Sequence, residues 1–280
     1  MPASAVENLI DLALAEDVGP ADLTTDAIVP AGARGIADVV LREPGVVCGL
    51  DAALAVVRRL DPEATMDVLV PEGAAAAQVP VTVARIQASS RALLTTERTA
   101  LNLLQRLSGI ATVTRRYVDA VAGTGVEVLD TRKTAPGLRG LDRWAVACGG
   151  GLNHRAGLHD AILIKDNHVA VAGGIRPAVC AVREHHPGLP VEVEADTLEQ
   201  LDEALAEGAD TVLLDNMTLN DMREAVRRTD GRARLEASGG ITLAGIRAVA
   251  ETGVDAISVG ALTHSVIALD IALEVSPSQP

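Results

Sequence analysis

The sequence predicts an α/β fold in which an incomplete α/β barrel of about six to seven parallel strands follows an N-terminal α+β sandwich domain. From about residue 126, short apolar runs alternate with helix-like segments. Four of these runs end at Glu194, Asp215, Ser238 and Gly260, which are 21, 23 and 22 residues apart, or one strand–helix unit per step. Aromatic residues make up only 1% of the chain, so the core is built from small aliphatic side chains, as suits helices packed on a parallel sheet.

The predicted elements differ between the two halves of the chain. In the first part, the patterns predict helices over 4–16, 52–60, 91–107 and 111–121, and strands over 35–42, 67–70 and 79–87. In the second, they predict strands over 126–130, 161–165, 190–194, 211–215, 234–238 and 256–260, and helices over 198–207, 219–228 and 243–251. The last three helices each follow a candidate N-cap, namely Thr197, Thr218 and Thr242. We expect a sandwich domain over 1–110, a barrel over 111–265, and a tail over 266–280 that can pack with the sandwich domain.

Composition excludes several classes of partner. The net charge of −14 argues against nucleic acid. No apolar run reaches the length of a membrane span, and the first residues lack a secretory pattern. Three cysteines without metal or disulfide spacing indicate free thiols in a reducing cytoplasm. No P-loop or GxGxxG motif is present.

Positive charge is concentrated in one stretch. Arginine supplies 22 of the 24 basic side chains, and the only two lysines, Lys133 and Lys165, both lie between Asp130 and His168. That stretch carries six basic and four acidic residues, a net charge of +2, so the remainder carries −16. Because a lysine is a compact, flexible charge that an arginine fork does not always replace, the two lysines are candidate functional residues. A cationic island on an acidic protein favours a small, highly anionic ligand.

The strand ends predict where this chemistry lies, because the carboxyl ends of barrel strands form the catalytic face. Lys165 ends one predicted strand, and Arg132 and Lys133 follow another. With Arg155 and the titratable His154, these cations are suited to binding carboxylates and phosphates. The alternative is that they form salt bridges with the aspartates of the same stretch, which are Asp130, Asp142 and Asp160.

Two further groups suit a phosphorylated substrate. Glu194 and Asp215 are hard oxygen ligands that can bind Mg²⁺, hydrogen-bond ribose hydroxyls, or do both; a purely structural role is the alternative. The segments Ser238-Gly239-Gly240 and Gly260 onwards are each expected to open a helix after a strand. Exposed N–H groups at such helix starts form an anion site.

Eight motifs extend this interpretation over nearly the whole chain. They are EDVGPADLTT (16–25), ERTALN (97–102), LSGIAT (107–112), DTRKTAPGLR (130–139), GGGLNHR (149–155), LIKDNH (163–168), LLDN (213–216) and EASGG (236–240). In this ordered set the chain resembles the quinolinate phosphoribosyltransferase family. The resemblance implies transfer of phosphoribosyl from phosphoribosyl pyrophosphate to quinolinate with Mg²⁺, giving nicotinate mononucleotide, pyrophosphate and CO₂ for NAD biosynthesis. It also implies a homodimer with shared active sites, or a hexamer of such dimers.

The resemblance also implies roles for individual residues. Arg98 would reach the neighbouring subunit's substrate. The implied quinolinate ligands are Arg98, Arg132, His154, Arg155 and Lys165, with Lys133 between quinolinate and pyrophosphate. Glu194 and Asp215 would hold the ribose and the metal, and Ser238, Gly239, Gly240 and Gly260 the phosphate. Lys133, Lys165, Glu194 and Asp215 are the expected catalytic residues. The rival hypotheses are a paralogue of the same fold with another acceptor, and an anion-binding module without turnover.

Overall fold

The structure of the chain, a computed structural model, describes residues 3–277, with side chains over 6–276. The helices are α1 (Ala3–Val18), α2 (Leu23–Ile28), α3 (Leu50–Arg58), α4 (Ser90–Ala120), α5 (Arg139–Cys148), α6 (Asp166–Ala172), α7 (Ile175–His185), α8 (Leu198–Ala206), α9 (Leu219–Thr229), α10 (Ile246–Ala250) and α11 (Ala261–His264). The strands are β1 (Arg34–Leu41), β2 (Gly45–Val46), β3 (Thr65–Val68), β4 (Ala75–Ala76), β5 (Val81–Ser89), β6 (Glu127–Leu129), β7 (Ile162–Ile164), β8 (Val191–Ala195), β9 (Thr211–Asp215), β10 (Arg234–Ser238), β11 (Ala256–Ser258) and β12 (Ile271–Pro277).

The predicted α/β fold class is confirmed. The nine expected strands are all present, each within two residues of its expected bounds. The sequence patterns did not predict the helices α2, α5, α6 and α7, or the strands β2, β4 and β12. The chain divides into two compact units, one formed by 1–115, 135–150 and 266–280 and the other by 116–134 and 151–265.

The first unit is built on a four-stranded antiparallel sheet in the order β12-β1-β5-β3. Alternating residues of β1 and β5 are buried and form one core with apolar residues of α3 and α4. A small β2–β4 pair accompanies the sheet. The tail belongs here, since β12 pairs with β1 from Gly35–Pro277 to Leu41–Ile271.

One segment lies in a different unit from the one expected. Residues 135–150 were assigned to the barrel domain but belong to the first unit. The physical reason is a buried ion pair, in which Arg106 of α4 donates to both carboxylate oxygens of Asp142 at 3.0 and 2.8 Å. Arg115 of the same helix donates to the Gly149 carbonyl at 3.0 Å. These contacts hold α5 to α4, although α5 follows β6 in the chain.

The prediction of two helices over 91–107 and 111–121 was wrong, because α4 is continuous from Ser90 to Ala120. Gly109 does not break the helix. It allows close packing instead, since a Cβ at this position would lie 2.1 Å from the Ile267 carbonyl oxygen. The neighbouring Ser108 hydroxyl donates to the Cys48 carbonyl and accepts from its N–H, both at 3.0 Å.

The second unit contains the six-stranded parallel sheet in the order β6-β11-β10-β9-β8-β7. A single parallel bridge between Leu129 and Leu152 extends it beyond β6. Along β8, Val191, Val193 and Ala195 are fully buried, whereas Glu192 and Glu194 share the opposite face. The sheet is therefore an incomplete barrel with polar residues on one face of its strands.

Helix starts follow local capping chemistry in two of the three predicted cases. Thr197 caps α8 by accepting from Gln200 N–H, and Thr218 caps α9 by accepting from Asp221 N–H. Thr242 does not cap a helix directly, because a turn intervenes and α10 begins at Ile246. Within residues 3–277, none of the helices combines the length and apolar character that crossing a bilayer requires.

Candidate active site

A cavity of about 240 Å³ lies at the carboxyl ends of the parallel strands in the second unit. Strand register places these ends side by side, with Ser238 opposite Asp215 and Glu194 opposite Leu213. The cavity is lined by Thr131, Arg132, Lys133, His154, Arg155, Leu163, Lys165, Glu194, Leu213, Asp215, Glu236, Ser238 and Ser258. Eight of these were predicted from the sequence as site residues, so the structure brings most of the predicted set together.

Lys165 and two carboxylates form the polar centre of this cavity. Lys165 directly follows β7, and its Nζ forms an ion pair with Glu194 Oε2. The Glu194 side chain is only 9% exposed, whereas that of Lys165 is 43% exposed. Burial raises the pKa of Asp215, and the nearby charges of Glu194 and Asp196 raise it further. The site therefore holds two carboxylates that repel each other and one lysine that offsets their charge.

The turn after β10 is shaped around Asn216. Asn216 has a positive φ of 55°. Its backbone N–H donates to the Ser238 carbonyl at 3.0 Å, and its side-chain amide N–H donates to Asp215 at 2.7 Å. A Cβ on Gly239 would lie 2.2 Å from Asn216 Oδ1, so only glycine fits there. Contrary to the prediction, Ser238-Gly239-Gly240 does not open a helix, since both glycines take left-handed conformations that an α-helix does not allow.

The loop after β11 positions Lys133. Thr263 of α11 donates its hydroxyl to the Lys133 carbonyl at 3.0 Å. A Cβ on Gly260 would lie 3.0 Å from Lys133 Cδ and 3.1 Å from the His264 ring. Gly260 therefore leaves room for the lysine stem, and α11 begins directly after it, as predicted.

Beneath the cavity, His154 lies between two buried glutamates. Its Nε2 is 3.2 Å from Glu192 Oε2 and 3.5 Å from Glu236 Oε2. Burial disfavours a charged ring, whereas the hydrogen bonds to Glu192 and Glu236 favour one and raise the pKa of His154. Burial also raises the pKa of Glu192.

The other ring nitrogen of His154 is also engaged. The Arg155 backbone N–H donates to Nδ1 at 2.7 Å, which requires an unprotonated Nδ1. Because a protonated Nδ1 could not accept this hydrogen bond, the single ring proton lies on Nε2, facing the two carboxylates. The His154 backbone N–H donates to the buried Asp130 at 2.8 Å.

Arg155 and Arg132 share the same wall of the cavity. Burial lowers the pKa of Arg155, and the nearby charge of Arg132 lowers it further. Two arginines held this close favour a ligand with several negative charges. Of the aspartates considered as alternative partners, Asp142 pairs with Arg106, and Asp160 accepts from the Ala156 and Gly157 N–H groups.

Some predicted site residues lie elsewhere. Arg98 is an exposed residue of α4 in the first unit. Gly239, Gly240 and Gly260 shape the adjoining turns rather than line the cavity. Among the described residues, a larger cavity of about 570 Å³ in the first unit is lined by none of the predicted site residues.

Sequence reasoning missed Glu192 and Glu236 as site residues. A usable signal was present, because each stands two positions before a predicted site residue, Glu194 or Ser238, on the same strand. Residues two apart on a strand share a face.

The sequence matches two family descriptions along most of its length. "Quinolinate phosphoribosyl transferase, C-terminal domain" matches residues 110–274, and "Quinolinate phosphoribosyl transferase, N-terminal domain" matches residues 22–108. The chain is 50% identical over 276 residues to the nicotinate-nucleotide pyrophosphorylase [carboxylating] of Mycobacterium leprae, covering 97% of each chain. It is 40% identical to a probable enzyme of the same name from Bacillus subtilis, covering 98% of this chain and 94% of the relative.

Solved structures that are similar to this chain indicate the same family. The crystal structure of NadC from Streptococcus pyogenes is 37% identical and superposes with a TM-score of 0.95, covering 100% of this chain and 99% of that one. Human nicotinic acid phosphoribosyltransferase is only 15% identical and superposes with a TM-score of 0.62, covering 95% of this chain and 73% of that one. At this identity, the comparison shows only that the two proteins share a fold.

Proposed function

The chain belongs to the quinolinate phosphoribosyltransferase family, and we propose that it transfers the phosphoribosyl group of phosphoribosyl pyrophosphate to quinolinate. Decarboxylation follows and yields nicotinate mononucleotide, pyrophosphate and CO₂, a step of NAD biosynthesis. The observation that carries this proposal is the clustering of four cations with Glu194 and Asp215 in one cavity at the strand ends. A dianionic acceptor and a phosphorylated donor require such a cationic site.

Quinolinate binds at the cationic wall of the cavity. Arg132 and Arg155 pair with its carboxylates, because planar guanidinium groups bind carboxylates in a bidentate manner. Lys165 extends from β7 towards the same space, and Lys133 lies between the acceptor and the pyrophosphate. His154 supports this wall from below, since both of its ring nitrogens already contact protein groups.

The donor binds at the carboxyl ends of β8 to β11. Glu194 and Asp215 hydrogen-bond the ribose hydroxyls, and the turns at Ser238–Gly240 and Gly260 hold phosphate through backbone N–H groups. In the first of these turns, the left-handed Gly239 and Gly240 allow the backbone to approach a phosphate closely.

The reaction begins when the bond between ribose C1 and pyrophosphate breaks. Glu194 and Asp215 stabilise the positive charge that develops on the ribose, because fixed carboxylates are most effective where charge appears in the transition state. The quinolinate nitrogen then attacks C1, and the resulting pyridinium accepts the electron pair released as the adjacent carboxylate leaves as CO₂. One proton is added to that ring carbon, and Lys133 and Lys165 are the candidate donors.

Glu194 and Asp215 also fit a Mg²⁺ ion. The raised pKa of Asp215 reflects repulsion from Glu194 as well as burial, and a divalent cation would relieve that repulsion. Two protein carboxylates suit Mg²⁺, which usually completes its shell with water and substrate phosphate. When bound, the ion would neutralise charge on the departing pyrophosphate.

The active form is proposed to be a cytoplasmic homodimer in which Arg98 completes the partner's site, or a hexamer of such dimers. Three free cysteines are in keeping with a reducing compartment. The test mixes Arg98→Ala and Lys165→Ala subunits, each inactive alone. A shared site predicts that the mixture regains activity, because one site of each mixed dimer is intact. No recovery despite exchange of subunits would exclude sharing.

The decisive experiment supplies quinolinate, phosphoribosyl pyrophosphate and Mg²⁺, and measures CO₂ and nicotinate mononucleotide. Quinolinate-dependent release of both in equal amounts supports the proposal. A parallel reaction with nicotinate distinguishes the rival paralogue, which would turn over nicotinate without releasing CO₂. Binding of either substrate with no product would instead indicate the regulatory module.

A further inference from the structure

The buried glutamates Glu192 and Glu236 take no part in the proposed reaction. The two lie on β8 and β10, on the strand face that also carries Glu194 and Ser238, and Leu213 of β9 lies between the two strands. Barrel interiors are normally filled by branched apolar residues. Glu236 is 2% exposed and the Glu192 side chain 12%, so two carboxylates here are costly unless they serve a purpose.

Stability alone does not explain the pair. Among the residues that the structure describes, Oε1 of each glutamate is buried and has no hydrogen-bond partner, so each carboxylate is only half satisfied. A buried oxygen without a partner is destabilising, and an apolar residue of similar size would avoid that cost. What both carboxylates share is His154, whose Nε2 lies within 3.5 Å of an oxygen from each.

The cluster fixes His154 in one orientation and one tautomer. Nε2–H faces the two carboxylates, Nδ1 accepts the Arg155 N–H at 2.7 Å, and the backbone N–H of His154 is held by Asp130 at 2.8 Å. If the ring turned or its proton moved to Nδ1, the Arg155 N–H would lose its acceptor. Arg155 is the next residue in the chain. It lines the cavity, and its guanidinium donates to the Ala161 carbonyl at 3.3 Å.

The same groups have metal-ligand character, since one ligand atom from each of His154, Glu192 and Glu236 lies within 4.8 Å of the others. Ligation through Nε2 would move the ring proton to Nδ1. The Arg155 N–H already points at that atom, so two donors would face each other. The hydrogen bonding therefore favours a positioning role over a metal site.

We propose that Glu192 and Glu236 are positioning residues for the acceptor half of the active site. They hold the His154 Nε2–H between them, so that Nδ1 receives the Arg155 N–H and Arg155 stays aimed at the acceptor carboxylate. The role in catalysis rests on the proposed function, whereas the arrangement of His154 does not.

The kinetic test uses the isosteric variants Glu192→Gln and Glu236→Gln. An amide oxygen accepts a weaker hydrogen bond than a carboxylate, so we expect the KM for quinolinate to rise about tenfold in each variant. The KM for phosphoribosyl pyrophosphate should change by less than about twofold, since the donor contacts other residues. Glu127→Gln is the matched control, because Glu127 pairs with Arg234 on the same sheet away from the cavity.

A second measurement needs no turnover. In ligand-free protein labelled with ¹⁵N-histidine, His154 should show a protonated Nε2 and an unprotonated Nδ1 at neutral pH. This pattern should be lost in Glu236→Gln but kept in Glu127→Gln. In a His154→Ala background, Glu236→Gln should no longer weaken quinolinate binding measured by calorimetry, because the glutamate acts through the ring.

Three results would overturn the proposal: an unchanged KM for quinolinate in both variants, an equal rise of both substrate KM values, or a His154 ring protonated on Nδ1 in the unmodified protein. A protein that makes no product from quinolinate would contradict the proposed function instead. In that case the ¹⁵N spectrum still decides whether the two glutamates hold His154 as described.

Discussion

Replacing Arg106 by methionine tests the most deeply buried ion pair of the first unit. Arg106 Nε and a terminal nitrogen contact the two oxygens of Asp142 at 3.0 and 2.8 Å, a bidentate arrangement. The Asp142 side chain is 0% exposed and that of Arg106 is 25% exposed. Methionine keeps the unbranched stem but removes the charge. Asp142 then stays buried without its arginine partner and keeps the 3.3 Å hydrogen bond from the Ala135 N–H.

Breaking a buried ion pair by removing one partner costs about 3–5 kcal/mol, because the other charge is left buried and uncompensated. We therefore expect the free energy of unfolding to fall by about 3–5 kcal/mol at pH 7.

Urea unfolding followed by circular dichroism measures this change. Arg247→Met is the control, since its pair with Glu251 is half exposed and contributes within about 1 kcal/mol.

The double variant Arg106→Met/Asp142→Asn distinguishes the cost of the unpaired buried charge from the cost of altered packing. Asparagine keeps an acceptor for the Ala135 N–H but carries no charge, so the double variant should be more stable than Arg106→Met alone by at least about 1 kcal/mol. A loss below about 1 kcal/mol in the single variant, or a further loss in the double one, would refute the reasoning.

Three other predictions follow from the same structure. Lys133→Arg and Lys165→Arg should each lower kcat more than about tenfold, because a bulky fork cannot replace a compact charge; near-normal turnover in both would contradict this. Gly109→Ala should lower the free energy of unfolding by about 1–3 kcal/mol, since the new methyl meets the Ile267 carbonyl, whereas Gly32→Ala meets no atom within 4 Å and serves as control. Thr197→Ala should destabilise the protein by about 1 kcal/mol through loss of the α8 cap, which thermal unfolding can detect.

Local sequence patterns were enough to predict most of the strands. Strands β8, β9 and β10 were expected within one residue of their bounds, because turn and cap residues surround short β-branched or apolar runs. The same regularity predicted that Lys165, Glu194, Asp215 and Ser238 lie at one edge of the sheet. Helices α5 and α7 were missed because neither has a side-chain N-cap at its start.

Close approaches between distant segments could not be predicted in this way. Gly109 lies between the two helices predicted over 91–107 and 111–121, but its role depends on Ile267, which is remote in sequence. Glu192 shares a strand face with Glu194, yet a barrel interior is expected to be apolar, and only the position of His154 gives the buried glutamate a reason to be there.

The sequence by itself determined the alternation of strands and helices, the family, and the set of charged residues at the strand ends, because all of these depend on residue type and on spacing along the chain. The tertiary structure decided which groups share protons and close contacts. The tautomer of His154 follows from the Arg155 N–H on one side and from Glu192 and Glu236 on the other. Such contacts depend on distances of about 3 Å between strands and loops, and the spacing of residues along a chain does not encode those distances.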